Sequence, residues 1–343
     1  MMRLPLPWLL AFTTAALALL LLGSLATGPM ALTLGESLRA LFAGQESGIE
    51  SHKLLIVQEI RLPRTLLCIA VGGILGLCGA VMQGLFRNPL ADPGIIGVSG
   101  GAALGAALAI VLLAPLGQQL QATIGVGLLP LLAFLGGALT TTLVYLLGTR
   151  EGGTSVTVML LAGVAITALS GAVIGLLTYL ADDQMLRNLS LWQMGTLAAG
   201  KPADVALALL TLAALLWLFM RDANPLNALL LGEGEARHLG VNVQSLKRRL
   251  ILLTAAGVGV AVAVSGMIGF VGLVVPHLVR LLAGPNHVRL LPLSALLGAT
   301  LLLAADMLAR TLLAPAELPV GIITALLGAP FFIWLLVKGR RAL

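Results

Sequence analysis

The sequence predicts an all-α, polytopic membrane protein, a single domain over residues 1–343 with about ten crossing helices. Three observations carry this. The chain is 59% hydrophobic and 10% charged, with a mean hydropathy of +1.06, whereas soluble domains are about half apolar and about a quarter charged. Apolar runs of the roughly 20 residues that cross the hydrocarbon recur along nearly the whole length. Aromatic content is only 4% and apolar residues do not alternate evenly with polar ones, which argues against a β-barrel.

The first run, 8–27, follows Arg3 and resembles a secretory leader. Its apolar core is too long for one and no small-x-small cleavage site follows, so it reads as a first span. The second, 64–85, encloses Cys68 and Cys78, which in so apolar a setting read as packing residues rather than a disulfide framework. "RNPLADP" (87–93) then interrupts: the prolines end a helix, and Asp92 is placed to cap the next one with Pro93 at its first position.

The third run, 95–114, opens on "GIIGVSGGAALGAA". Gly97-x-x-x-Gly101 and Gly101-x-x-x-Gly105 here, and Gly72-x-x-x-Gly76 in the second run, set small residues one helical turn apart. Such spacing lets backbones approach where lipid removes any hydrophobic drive between helices. Runs 124–148 and 154–180 follow. In "YLADDQMLRNLSLWQMGTL" (179–197) either Asp182 or Asp183 caps a short re-entrant helix, and Trp192 suits an interface anchor.

After 203–220 comes the longest polar stretch, "RDANPLNALLLGEGEARHLGVNVQSLKRR" (221–249). Asn224-Pro225 begins a turn, Gly232 ends one short helix, and Glu233, Glu235, Arg237 and His238 lie along a second, running into Leu239 and Gly240. The last runs are 249–268, 270–284, 290–312 and 319–338. The run 270–284 is short enough for a partial or steeply packed helix, and Pro276 reads as a helix start ahead of His277.

Positive charge orients the bundle. With the N-terminus inside, twelve Lys/Arg fall in inner loops and termini (Arg3, Arg87, Arg150, Arg221, Arg237, Lys247, Arg248, Arg249, Arg289, Lys338, Arg340, Arg341) against five outside (Arg39, Lys53, Arg61, Arg187, Lys201). This bias favours both termini in the cytoplasm. The formal charge of +6 therefore belongs to topology and not to nucleic-acid binding. The four histidines show no i, i+3 or i, i+4 pairing, so no metal site is expected. No cluster of His, Asp, Glu and Ser suggests catalysis, and no G-x-x-x-x-G-K-[ST] loop would hold nucleotide.

Four stretches are similar to one family. "RLPRTLLCIAVGGILGLCGAVMQGLFRNPLADPGIIGVSGGA" (61–102), "SGMIGFVGLVVPHLVRLL" (265–282), "ADMLAR" (305–310) and "ELPVGIITALLGAPFFIWLL" (317–336) resemble, in order, the FecCD-type permeases of type II ABC importers. That family brings ferric siderophores, haem and cobalamin across the bacterial inner membrane. "GPNHVR" (284–289) departs from the family's usual Asp-His-Arg turn.

The resemblance implies a homodimer of permeases, two cytoplasmic ATPase subunits that bind ATP–Mg, and a periplasmic binding protein, with no resident cofactor in this chain. It implies that Glu233, Glu235, Arg237, His238, Leu239 and Gly240 contact an ATPase. It implies that Arg61, Arg64 and Arg310 receive acidic residues of the binding protein. Snorkelling is the plain alternative for these arginines, and Arg310 also has Asp306 four residues earlier on its own helix face. The 179–197 stretch is similar to the "LR-x-L-x-x-W-x-x-G" region of haem-importing members, which points to Arg187 facing a haem propionate and Met185, Trp192 and Met194 lining an apolar passage. A ferric siderophore or cobalamin is the alternative cargo. An ion-coupled secondary transporter is the alternative class, although Asp306 is the one acid expected within a span.

Overall fold

The computed structural model describes residues 5–30, 32–42, 50–114, 127–150, 153–198 and 200–340. In chain order the helices are α1 (Leu6–Ala26), α2 (Leu34–Phe42), α3 (Ser51–Leu85), α4 (Val98–Val111), α5 (Leu128–Gly148), α6 (Val156–Leu180) and α7 (Asp183–Gln193). They continue as α8 (Pro202–Arg221), α9 (Ala223–Leu230), α10 (Glu233–His238), α11 (Val243–Ser265), α12 (Val271–Ala283), α13 (His287–Thr311) and α14 (Val320–Arg340). Between α5 and α6 a tight hairpin pairs β1 (Thr149–Arg150) with β2 (Gly153–Thr154).

Seven of these helices are long and apolar enough to cross a membrane, and α4, α12 and the apolar part of α14 are shorter. Among the described residues, each of the ten apolar runs has its helix. The second run is longer than the sequence suggested. It begins at Ser51 and passes through one wide turn at Ile56–Arg61 before Pro63, which sits in the first turn of the regular helix that follows.

α3 is the centre of the bundle: 89% of its apolar window is buried, against 17% for α1 and α6. Glycine makes this possible. A Cβ on Gly72 would strike the carbonyl of Gly298 in α13, and one on Gly76 would strike that of Ser294. The α4–α5 crossing repeats the arrangement, with Gly101 and Gly105 against the carbonyls of Gly136 and Leu132. The one-turn spacing read in the sequence thus marks two helix crossings where backbones touch.

The expectation that Pro276 starts a helix is corrected. α12 begins at Val271, after a break whose Gly266 and Phe270 take left-handed φ of +68° and +67°, and Pro276 lies mid-helix. It removes the bond that the carbonyl of Gly272 would accept. That carbonyl packs instead against Gly79 of α3.

The bundle has two poles. One gathers the hairpin 149–154, the connection 221–242 and the start of α13. The other gathers the end of α1, α7, the break after α11 and the residues around Asp306–Gly321.

Candidate coupling and translocation site

At the first pole the 221–249 stretch forms the two expected short helices, but Asn224 and Pro225 lie in the first turn of α9 and do not begin a turn ahead of it, which corrects that expectation. Asp222 pairs with the guanidinium of Arg249 and closes the base of the connection. Gly232, at φ +125°, turns the chain between α9 and α10, where a side chain would be strained. Ala236 alone in α10 is buried, while Glu235, Arg237, His238, Leu239 and Gly240 are exposed together. Glu233 differs from its neighbours, because its carboxylate accepts from Lys247 Nζ at 2.6 Å.

Side chains tie this connection to the spanning helices. Asn227 of α9 accepts the backbone N–H of His287 at 2.8 Å and lies 2.9 Å from His287 Nδ1, while donating to Asn286 at 3.0 Å. Asn286 in turn caps α13 by accepting from Val288 N. The "GPNHVR" departure is therefore a working helix cap bonded to α9. His287 is the first residue of α13 and buried, whereas His277, of which a polar helix-end role was expected, lies in the middle of α12, so that expectation is corrected.

Between α3 and α4, Asp92 accepts from Gly94 N at 2.7 Å and caps a single helical turn with Pro93 at its first position. Burial holds the Asp92 carboxyl above the usual carboxylate range, against the lowering effect of that bond. A cavity of about 80 Å³ lies beside it, bounded by Leu75, Ser99, Val262 and Met267 among others. That volume suits a few waters and no large ligand.

At the second pole Asp182, not Asp183, caps α7, its carboxylate accepting from Met185 N at 2.8 Å. The helix then sorts the four expected pathway residues onto two faces. Met185, Leu189 and Trp192, at helical spacing, turn into the core, with Trp192 8% exposed. Arg187, Leu191 and Met194 turn outward, and Arg187 makes no hydrogen bond or ion pair among the described residues. The grouping of Arg187 with Met185 and Trp192 is corrected on this point: residues two and five apart on a helix do not share a face. The apolar neighbours of Arg187 are Leu191 and Met194.

The three arginines expected to face a partner are 3% (Arg61), 6% (Arg64) and 2% (Arg310) exposed. Arg61 Nη1 donates to the Leu25 and Ala26 carbonyls at 2.7 and 2.8 Å, and Nη2 to Met30, so the guanidinium closes the C-terminal end of α1. Arg64 donates to Asp306 through Nη2 at 2.8 Å and to Glu317 through Nη1 at 2.7 Å. Arg310 Nε lies 3.0 Å from Asp306, the same-face pair that spacing allowed, and Nη2 donates to Ser24 at 2.8 Å. As free outward side chains these arginines are corrected, because carbonyls and carboxylates of their own chain occupy them. Among the described residues only Glu317, with its side chain 35% exposed, brings this network to the surface.

Sequence reading missed Asn227, Thr154, Asp222 and Lys247. Lys247 entered it only as one inner positive charge, since the partners of a polar residue at a helix start lie far off in sequence. Among the described residues no group of His, Cys, Asp and Glu could hold a metal ion.

Comparison with known proteins then decides the family. The FecCD transport family matches residues 16–338. This chain belongs to it. A FecCD chain is a multi-pass inner-membrane permease subunit of an ABC importer, so this one is a transport subunit and not a catalytic one. Relatives include the Hemin transport system permease protein HmuU of Yersinia pestis, 47% identical over 97% of this chain and 96% of its own. The Vitamin B12 import system permease protein BtuC of Vibrio cholerae is 43% identical over 83% of each. Among solved structures, an inward-facing metal-chelate type ABC transporter superposes with a TM-score of 0.81 at 34% identity, over 97% of this chain and 100% of that one.

Proposed function

We propose that this FecCD permease carries haem. The reading rests on the hemin permease of Yersinia pestis, 47% identical along nearly the full length of both chains. Arg187, an outward cation without a partner among the described residues, supports it. A haem offers two carboxylates beside a broad apolar plane, and Arg187 with Leu191 and Met194 offers the complement. Cobalamin is the second reading, favoured by relatives named as vitamin B12 permeases at 40–44% identity.

In this reading 1–343 is one permease domain with both termini in the cytoplasm. Two copies pack around the passage, with α6, whose apolar face is largely exposed in one chain, turned toward the partner. Two ATPase subunits, which bind the ATP–Mg, seat against Glu233–Gly240. A periplasmic binding protein delivers cargo at the opposite pole. ATP binding closes the ATPases, and α9 and α10 pass that motion to the spanning helices in an alternating-access cycle.

The complex reconstituted in liposomes with its ATPases and binding protein tests this. Hemin uptake that stops with vanadate and persists when an ionophore collapses ion gradients is the expected result. Uptake abolished by the ionophore alone overturns the importer in favour of an ion-coupled carrier. Uptake of cyanocobalamin and not hemin overturns the cargo.

A further inference from the structure

We propose that Lys247 is the mechanical link between the ATPase-facing helix α10 and the start of α6. The inference rests on the reading above, in which α10 abuts an ATPase.

Lys247 is 2% exposed. An ammonium so placed is costly unless its donors are used. Two are: Nζ donates to Glu233 Oε1 at 2.6 Å and to the Thr154 carbonyl at 3.0 Å. One nitrogen therefore bridges the first residue of α10 to the residue before Ser155, the cap of α6.

The Thr154 end is held twice from the same helix. Gln244, one turn before Lys247, accepts the Thr154 N–H at 3.0 Å, so both backbone groups of Thr154 bond to α11. The two strands are also bonded to each other, with Ser155 N donating to Gly148 O at 2.9 Å and the Thr149 and Thr154 hydroxyls 3.1 Å apart. A displacement of α10 carried by Lys247 thus reaches α6 through bonded groups without a flexible step.

Beyond Thr154, α6 packs on α4 and α5 with Met159, Gly163, Ser170 and Leu177 buried along its 25 residues. Its bonded end at Thr154 is the point at which a displacement of α10 reaches it. Glu233 has a second cation in Arg237, but at 3.9 Å and on its own helix, which conveys nothing to α6. Lys247 is accordingly a positioning residue for transport.

The test uses the whole complex in liposomes, with hemin as cargo and Thr157→Cys as a reporter at the exposed start of α6. Native Cys68 and Cys78 are buried and stay silent. The readouts are ATP hydrolysis, hemin moved per ATP, and the change in maleimide labelling of the introduced thiol on trapping with ATP and vanadate. Lys247→Met is expected to assemble with its ATPases and hydrolyse ATP within about twofold of the parent. Its hemin per ATP and its nucleotide-driven labelling change should fall roughly tenfold, the scale of one charge-assisted hydrogen bond. Lys247→Arg, which keeps donors in both directions, should recover most of both.

A Lys247→Met complex with the parent's labelling response overturns the link. So does one in which hydrolysis and transport fall together and Lys247→Arg restores neither. If Lys247→Met does not assemble, Gln244→Leu loosens Thr154 and leaves the ammonium paired. It should weaken the labelling response, and an unchanged response overturns the proposal. A parent complex in which nucleotide neither drives uptake nor alters labelling overturns the importer reading itself, a result distinct from the others.

Discussion

Arg64 grips Asp306 through two nitrogens, Nε at 3.0 Å and Nη2 at 2.8 Å from the same oxygen, across 242 residues of chain. Asp306 is fully buried and also faces Arg310, so two guanidinium groups share one carboxylate between α1, α3 and α13. Asp306→Ala leaves both cations buried without it. Loss of one member of such a network costs about 3–5 kcal/mol, and denaturant unfolding of the purified permease in detergent should show it. Replacing Glu317, which is part exposed, by Gln should cost far less, near the roughly 1 kcal/mol ceiling of surface pairs.

The α3–α13 crossing makes a sterically sharper forecast. Gly298→Val sets side-chain atoms against the carbonyl of Gly72, and overpacking of this kind costs about 1–3 kcal/mol or more. Gly35→Ala meets nothing within 4 Å and should stay within about 0.5 kcal/mol of the parent. Thermal melts of the two variants side by side check the contrast.

The two faces of α7 should separate in their effects. Arg187→Ala is expected to lower hemin uptake roughly tenfold, as loss of one charge-assisted contact does, with stability unchanged. Trp192→Ala opens the core instead and should cost about 3–5 kcal/mol. Hemin uptake and unfolding measured on both variants read the two outcomes independently.

Glu36 gives a pH dependence with a definite sign. Thr33 N–H, then the Lys53 ammonium, hold its carboxyl down to about 2, against an ordinary value of 4.5. A carboxyl lowered on folding favours the fold above its unfolded value and loses that advantage as pH falls through its folded one. The protection of the Leu34–Phe42 amides, their exchange relative to the intrinsic rate at each pH, should therefore be flat from neutral pH down to about 5 and fall between 4.5 and 2. Glu36→Gln should raise exchange at neutral pH and remove the titration.

Much of this was legible in the sequence, for identifiable reasons. Apolar runs and glycine spacing are local, so ten spans and two close crossings could be read directly. Asp92, Asp182 and Gly232 act within three or four residues of themselves and were equally readable. The start of α3 at Ser51 was not, because Gln58, Glu59, Arg61 and Pro63 break the apolar run while the helix continues through one wide turn. The partners of Arg64 and Lys247 were hidden by sequence separations of 242 and 93 residues. Met185 and Trp192 were grouped with Arg187 by chemistry, although the helical period separates them.

Where Gly72 and Gly76 meet Ser294 and Gly298, main chain rests on main chain, and main chain has no rotamers to exchange. Such a joint cannot creep by small side-chain adjustments; it either stays seated or comes wholly apart. α3 and α13 form a keel, and the moving parts of the machine have to be the elements hung around it.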